Sequence, residues 1–115
     1  MSEPRVRPNG DKFWYNEYND LHREDGPAII YSNGTQHWFI NGERHREDGP
    51  AITRIDGSED WYVNGRRHRE GAPARIYTNG EVSWWHHGRE TNQPEFEYGS
   101  DAEVNEYQYR LGLSV

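Results

Sequence analysis

The heptapeptide HREDGPA at 45–51 decides the fold of this chain, because it occurs more than once. The same seven residues stand at 22–28, and an altered copy, HREGAPA, stands at 68–74, so that successive copies begin 23 residues apart. A period of this length is typical of repeat proteins, whose units bury their apolar faces by stacking on one another. The period divides the chain into an N-terminal cap with a partial repeat at 1–21, three tandem repeats at 22–90 and an acidic C-terminal cap at 91–115.

Each repeat carries an Asn-Gly or Asp-Gly pair between strand-forming residues, as in AIIYSNGTQHWFI at 28–40. Such pairs favour two-residue type I′ turns, because Asn, Asp and Gly tolerate the positive φ that both turn positions require. A two-residue turn at Asn33-Gly34 predicts that Ile30 faces His37, and it places Ile29 on the same sheet face as the tryptophan at 38. We therefore predict an all-β fold of tandem β-hairpin repeats, stacked in a meandering sheet with a C-terminal capping hairpin.

The core is expected to depend on aromatic side chains. Only 31% of the residues are hydrophobic, but the chain has five Trp, eight Tyr and three Phe. A single ring buries roughly 150 to 250 Å², so that a few rings replace many aliphatic side chains. One tryptophan recurs in each unit, which predicts an aromatic spine of Trp14, Trp38, Trp61 and Trp84.

The C-terminal cap is predicted to contain a strand, because polar and apolar residues alternate over 106–115. A short helix is the alternative, since Ser100 and Glu103 have the spacing of a capping box. A strand at the end of the chain leaves an unpaired edge, which favours pairing with a partner or with a second copy of this protein.

Charge and composition exclude several classes of protein. The net charge of −7 argues against a nucleic-acid coat, because phosphate binding depends on many Lys and Arg contacts. The chain has no cysteine, which removes disulfides and thiolate metal sites together. The N-terminal residues lack the apolar run of a signal peptide, and no stretch is long and apolar enough to span a membrane. We expect a cytoplasmic protein.

The heptapeptide contains the residue types of metal sites and catalytic sites, but its spacing argues against both. Equivalent histidines in stacked units, His22, His45 and His68, are expected roughly 10 to 14 Å apart, too far to share one ion. His86 and His87 are neighbours on a predicted strand and should point to opposite faces. No serine has the glycine-flanked setting of an activated nucleophile. We therefore predict a non-enzymatic protein without cofactor or metal, in which the heptapeptide is a structural connector.

Function is expected at the positions where the repeats differ. Residues that recur hold a stack together, whereas residues that vary are free to bind. Strand parity places six of the varying residues on one sheet face, and two arginines follow the second repeat's last turn. The predicted partner-binding residues are His37, Phe39, Asp60, Tyr62, Ser83, Trp85, Arg66 and Arg67.

The pattern W-[YF]-x-N-G-x-x-H-R-E-D-G-P-A at 38–51 resembles tandem repeats of phage and bacterial proteins, similar in style to MORN and YwqK-type antitoxin repeats. The resemblance covers about 9–90, and it implies an interaction scaffold or immunity protein. It leads us to expect a binding protein, in its sharpest form a phage-type inhibitor of a host defence or toxin component. The alternative is a small-ligand binder that sequesters a nucleotide signal, because arginines at 44, 66, 67 and 69 accompany the ring column.

Overall fold

The computed structural model describes residues 3–91, which form an all-β structure with no helix. Among these residues, therefore, no helix is long and apolar enough to cross a membrane. The strands are β1 Arg5–Val6, β2 Lys12–Phe13, β3 Ile29–Ile30, β4 Gln36–His37, β5 Phe39–Ile40, β6 Glu43–Arg44, β7 Ile52–Thr53, β8 Glu59–Asp60, β9 Tyr62–Val63, β10 Arg66–Arg67, β11 Arg75–Ile76, β12 Val82–His86 and β13 Arg89–Thr91.

Nine of these strands form one antiparallel sheet, in the order β1-β2-β3-β4-β7-β8-β11-β12-β13. The other four form two separate hairpins, β5 with β6 and β9 with β10. Each of the first two repeats therefore contributes two strands to the main sheet and one hairpin beside it. In the third repeat β12 runs without a break through both positions. The prediction of tandem β-hairpin repeats is confirmed, and the predicted capping hairpin and its helical alternative lie outside the described residues.

The first turn of each repeat differs from the prediction by one residue. Tyr31 donates its backbone N–H to Thr35 O at 2.9 Å, which closes a three-residue loop. Only Gly34 in this loop has a positive φ, at 98°. The loop is a type I turn followed by a left-handed glycine, the second most common way to close a hairpin. Asn33 favours it because its side-chain oxygen accepts the N–H of Thr35 at 2.9 Å.

The longer loop shifts the strand register and changes the sheet face of one core residue. Ile29 pairs with His37, and Ile30 pairs with Gln36. Ile29 consequently packs with Phe39 in the hydrophobic core, whereas the two-residue turn would have placed it beside Trp38. That face assignment was wrong.

The two-residue type I′ turn occurs at the end of each repeat instead. Asn41 and Gly42 both have positive φ, at 48° and 85°, and Ile40 pairs with Glu43 across them. In the third repeat His87 takes the same conformation with φ of 50°. This turn lets the chain reverse and enter the next heptapeptide.

The alanine that ends each heptapeptide connects consecutive units. Ala28, Ala51 and Ala74 are fully buried. Their carbonyls accept the backbone N–H of Trp14, Trp38 and Trp61 at 2.8, 2.7 and 2.7 Å. A larger side chain at the alanine position would have no space, so this contact between units requires a small residue.

Candidate functional site

Each heptapeptide histidine hydrogen-bonds to the backbone at the end of its own repeat, and we call this contact the histidine clip. Nδ1 of each ring accepts a backbone N–H from the residue nineteen positions later, at 2.9 Å for His22 and His68 and 3.0 Å for His45. A nitrogen that accepts a hydrogen bond carries no proton, so the ring proton lies on Nε2. Nε2 faces a glutamate two residues on, at 2.9 Å for His68 and Glu70. This geometry agrees with the structural connector that the sequence predicted.

The heptapeptide arginine covers the tryptophan of the preceding strand. The Arg46 guanidinium carbon lies 3.9 Å from the Trp38 ring centroid, and its Nη1 donates to Pro50 O at 3.2 Å. The corresponding arginines lie 3.9 Å from Trp14 and 3.7 Å from Trp61. The predicted spine positions at 14, 38 and 61 are therefore each capped by a cation, which adds about 0.5 to 2 kcal/mol to ring burial.

The glycine of the heptapeptide leaves space for this arginine. A Cβ atom at Gly49 would lie 2.6 Å from the Arg46 guanidinium carbon. A side chain there would therefore displace the guanidinium from Trp38 and from Pro50 O unless the loop changes.

Rings and arginines alternate along the face where the repeats vary. The Arg44 guanidinium lies 5.2 Å from the Phe39 ring and 5.8 Å from the Tyr62 ring. Arg67 lies 5.2 Å from the Tyr62 ring and 4.6 Å from the Trp85 ring. We call Phe39, Arg44, Tyr62, Arg67 and Trp85 the arginine–aromatic ladder. Each guanidinium bridges the rings of neighbouring repeats.

Two further varying residues lie against the ladder, as strand parity predicted. The rings of His37 and Phe39 stack with centroids 6.4 Å apart and planes 12° apart. Ser83 Oγ accepts the indole N–H of Trp85 at 2.8 Å. The ladder and these neighbours run side by side across three repeats. Phe39 is itself buried in the hydrophobic core, so the accessible part of the ladder is formed by the half-buried side chains of Arg44, Tyr62, Arg67 and Trp85.

Asp60 departs from its expected role as a surface contact. Its side chain is fully buried, and three arginines surround it, with Arg54 at 2.8 Å and Arg67 and Arg75 at 3.3 Å. Nothing in the sequence indicates this burial, because an aspartate at a position that varies between repeats is normally solvated. Asp60 fixes the arginines rather than contacting a partner itself.

His37 is uncharged at neutral pH. Burial, and then the positive charges of Arg44 and Arg54, lower the pKa of His37 to about 4. Asp60 opposes this effect without cancelling it. The ring therefore packs as an uncharged group beside the buried Phe39.

The face is locally positive although the whole chain is acidic. Three arginines share the single carboxylate of Asp60, and the Nε of Arg44 is buried without a hydrogen-bond partner. One negative charge against four positive charges leaves a surplus in a chain whose net charge is −7. An acidic ligand or partner is the chemistry that this surplus fits.

Arg66 lies away from the ladder. It is exposed on β10, and its side chain lies beside the turn at Gly88. Arg66 and Arg67 are adjacent on a strand and therefore point to opposite faces. Of the two predicted arginines, only Arg67 belongs to the candidate binding face.

A second cluster lies at the end of the third repeat and was not predicted. Potential ligand atoms of His68, Glu70, His86 and His87 all lie within 4.8 Å of one another. The parity argument against His86 and His87 was wrong, because His87 occupies the left-handed position of a turn and not a strand. Their ring centroids are 4.3 Å apart. Desolvation, followed by the neighbouring rings of His68 and His86, lowers the pKa of His87.

A groove of about 400 Å³ runs between the second and third heptapeptides. Trp61 and Val63 supply its apolar wall, and Arg46 and Arg69 line it together with Glu47, Asp48 and Glu70. Three carboxylates beside two arginines disfavour a phosphate there.

No protein-family model matches this chain, and no significant similarity to a curated protein or to a solved structure was found. The resemblance to phage and bacterial repeat proteins therefore remains a prediction.

Proposed function

We propose that this is a non-enzymatic binding protein, which acts by holding a protein partner against the arginine–aromatic ladder. The observation that carries the proposal is the alternation of three rings with two arginines across three repeats. Aromatic residues and arginine are the residue types that dominate binding energy in protein interfaces.

Preorganisation supports the proposal. The ladder arginines are already held by ring contacts, and Arg67 is held in addition by Asp60 and by the hydroxyl of Tyr62, to which it donates at 2.9 Å. Side chains fixed before binding lose little conformational entropy when a partner arrives. The positive surplus around Asp60 indicates that the partner presents carboxylates to this face.

The sharpest form of the proposal is inhibition of a host defence or toxin component. Its support is the resemblance of the repeats to those of phage and antitoxin-type proteins. The partner would then be an acidic patch on such a protein, occluded by the ladder.

Charge reversal of one ladder arginine tests the proposal. Arg44→Glu removes a cation that bridges Phe39 and Tyr62, and we expect it to abolish capture of partners by the immobilised full-length protein from host lysate. Lys12→Glu makes the same charge change at an exposed position outside the ladder and should leave capture intact. Equal capture by both variants would contradict the proposal.

A nucleotide ligand is the second candidate, and the same positive surplus favours it. A base could stack on a ladder ring while guanidinium groups hold phosphate. Thermal-shift titration with cyclic and linear nucleotides separates the two candidates. Stabilisation at micromolar nucleotide that Arg44→Glu removes would favour the nucleotide, whereas no shift leaves the protein partner as the better candidate.

A further inference from the structure

The third repeat carries two histidines where the first two repeats have no metal ligand. His86 stands where the other repeats have Ile40 and Val63, and His87 stands where they have Asn41 and Asn64. Both replacements lie beside the histidine–glutamate pair that every repeat contains. The third repeat therefore adds two imidazoles to a carboxylate that is already in place.

The geometry brings these groups within reach of a single ion. The His87 ring lies 4.1 Å from the His68 ring and 4.3 Å from the His86 ring, centroid to centroid. All candidate ligand atoms lie within 4.8 Å of one another. Ligand atoms on one tetrahedral zinc ion lie roughly 3.3 Å apart, given metal bonds of about 2.0 to 2.1 Å. Rotation of the exposed side chains of Glu70 and His87 closes that difference.

His68 has a different part in the cluster. Its Nδ1 accepts the backbone N–H of His87, and its Nε2 donates to Glu70 at 2.9 Å. Neither nitrogen has a free lone pair for a metal, so His68 is a positioning residue. It is buried, and it aims the Glu70 carboxylate in the way that outer hydrogen bonds orient metal-ligating carboxylates.

We propose that Glu70, His86 and His87 form a binding site for a divalent transition-metal ion of the zinc class, oriented by His68 and completed by water. Imidazole nitrogen and carboxylate oxygen are the donor types that such ions accept in proteins. The site lies apart from the arginine–aromatic ladder, because His86 and Trp85 have opposite strand parity on β12.

Glu70 and Arg66 are charged groups that act on His87. Glu70 supplies the negative charge that attracts a cation, and exposed Arg66 opposes it from the side of Gly88. Because Arg66 is exposed, water and salt screen its charge. Arg66→Ala should therefore tighten metal binding modestly.

Titration of the tag-free, full-length protein with Co²⁺ tests the site. We expect one equivalent to bind, with the visible absorption bands of a four-coordinate ion that Zn²⁺ then displaces. His86→Val with His87→Asn should remove these bands, and the variant should fold because it restores the residues of the second repeat. Glu70→Gln should weaken binding about tenfold or more. Binding that survives in the double variant, or a wild-type protein that takes up no Co²⁺, would overturn the proposal.

Transplanting the site into the second repeat gives an independent test. His45 and Glu47 have the same clip and the same pairing as His68 and Glu70, with Nε2 and carboxylate oxygen 3.2 Å apart. Val63→His with Asn64→His should therefore create a second site, and the stoichiometry should rise from one ion to two. A stoichiometry that stays at one would show that the ligand set is assigned wrongly.

Discussion

Asp60 and its arginines form the least exposed ion cluster of the described residues, and they lie in the middle of the binding face. Arg54, Arg67 and Arg75 come from three successive parts of the chain and meet on one carboxylate with no exposed surface. A buried charge without a partner is strongly unfavourable, so each component depends on the others. The cluster thereby fixes the second repeat against the third.

Asp60→Asn should lower the free energy of unfolding by about 3 to 5 kcal/mol, because three cations lose their shared counter-charge. Urea unfolding followed by tryptophan fluorescence measures this. Asp48→Asn is the matched control: the Asp48 side chain is 88% exposed and pairs with Arg46 alone. That control should cost less than about 1 kcal/mol. Similar losses in the two variants would contradict the role of Asp60.

His37 predicts a pH dependence of stability. Its pKa is about 4 in the folded protein and close to 6.5 in the unfolded chain, so the unfolded chain binds the proton first. The free energy of unfolding should therefore fall as the pH is lowered from about 6.5 to about 4. The contribution of His37 is about 1 to 2 kcal/mol once solvent screening is allowed for.

His37→Asn should flatten this part of the stability curve. Comparing the two proteins at each pH cancels the contributions of the other titrating groups. The quantity compared is the slope of the free energy of unfolding against pH, not the absolute stability. A variant with an unchanged slope would show that His37 does not carry the effect.

At the candidate sites, the alternation of side chains along a strand predicted which ring residues share a sheet face. Phe39, Tyr62 and Trp85 are one period apart on equivalent strands, so their shared face could be predicted. The burial of Asp60 could not, because it depends on three arginines that meet only in the folded sheet. The contact of His86 with His87 was missed because the alternation of strand side chains ends at a turn, and Asn41 and Asn64 were the only sign that this position is left-handed.

At the scale of elements, the heptapeptide couples a loop conformation to a cation–ring contact. Gly49 leaves space for Arg46, and its φ is not in the left-handed region. In the altered copy, Ala72 occupies the equivalent position, and Gly71 before it takes a left-handed φ of 72°. The two loops therefore reach the same arginine–tryptophan contact by different backbones.

Gly49→Ala alone should destabilise the protein by about 1 to 3 kcal/mol, because the added Cβ overlaps the guanidinium of Arg46. Asp48→Gly combined with Gly49→Ala recreates the altered copy and should recover most of the loss. Thermal unfolding of both variants checks this. A double variant no more stable than the single one would mean that the left-handed glycine does not relieve the overlap.

The positions of the hairpins could be predicted from the residues that favour turns. Each Asn-Gly and Asp-Gly pair marked a hairpin turn correctly, but these pairs did not distinguish a two-residue turn from a three-residue loop. The choice is made by the side chain of Asn33 or Asp56, which accepts an N–H two residues later and stabilises the type I turn. The strand register followed that local bond, and the period alone could not specify it.

At the scale of the molecule, the stack adds one unit at a time. Ile29, His37 and Ile52 follow one another across β3, β4 and β7, so an additional first repeat would place an isoleucine beside His37 as in the native sheet. Such contacts between neighbours make the stability of a stack approximately additive.

Duplication of 22–44 should therefore give a folded protein that unfolds in one transition. Its free energy of unfolding should depend more steeply on urea concentration, because unfolding exposes more surface. Circular dichroism and urea titration measure both. The control is the same insertion lacking Ile30, which shifts the strand by one residue and reverses its faces. Unfolding in two steps, or a free energy of unfolding no larger than that of the control, would contradict the prediction.

The histidine clip has a consequence for how such a chain can change over time. Each clip is made to a backbone N–H, at 41, 64 or 87, so the clip itself does not depend on the side chain there. The left-handed φ restricts the choice, and both Asn and His satisfy it. Every repeat thus has, in the turn at its end, a position whose side chain can change without loss of the clip. That position lies next to a glutamate whose orientation is already fixed. New side chains can therefore be introduced in one repeat by one or two substitutions, while the other repeats keep the fold.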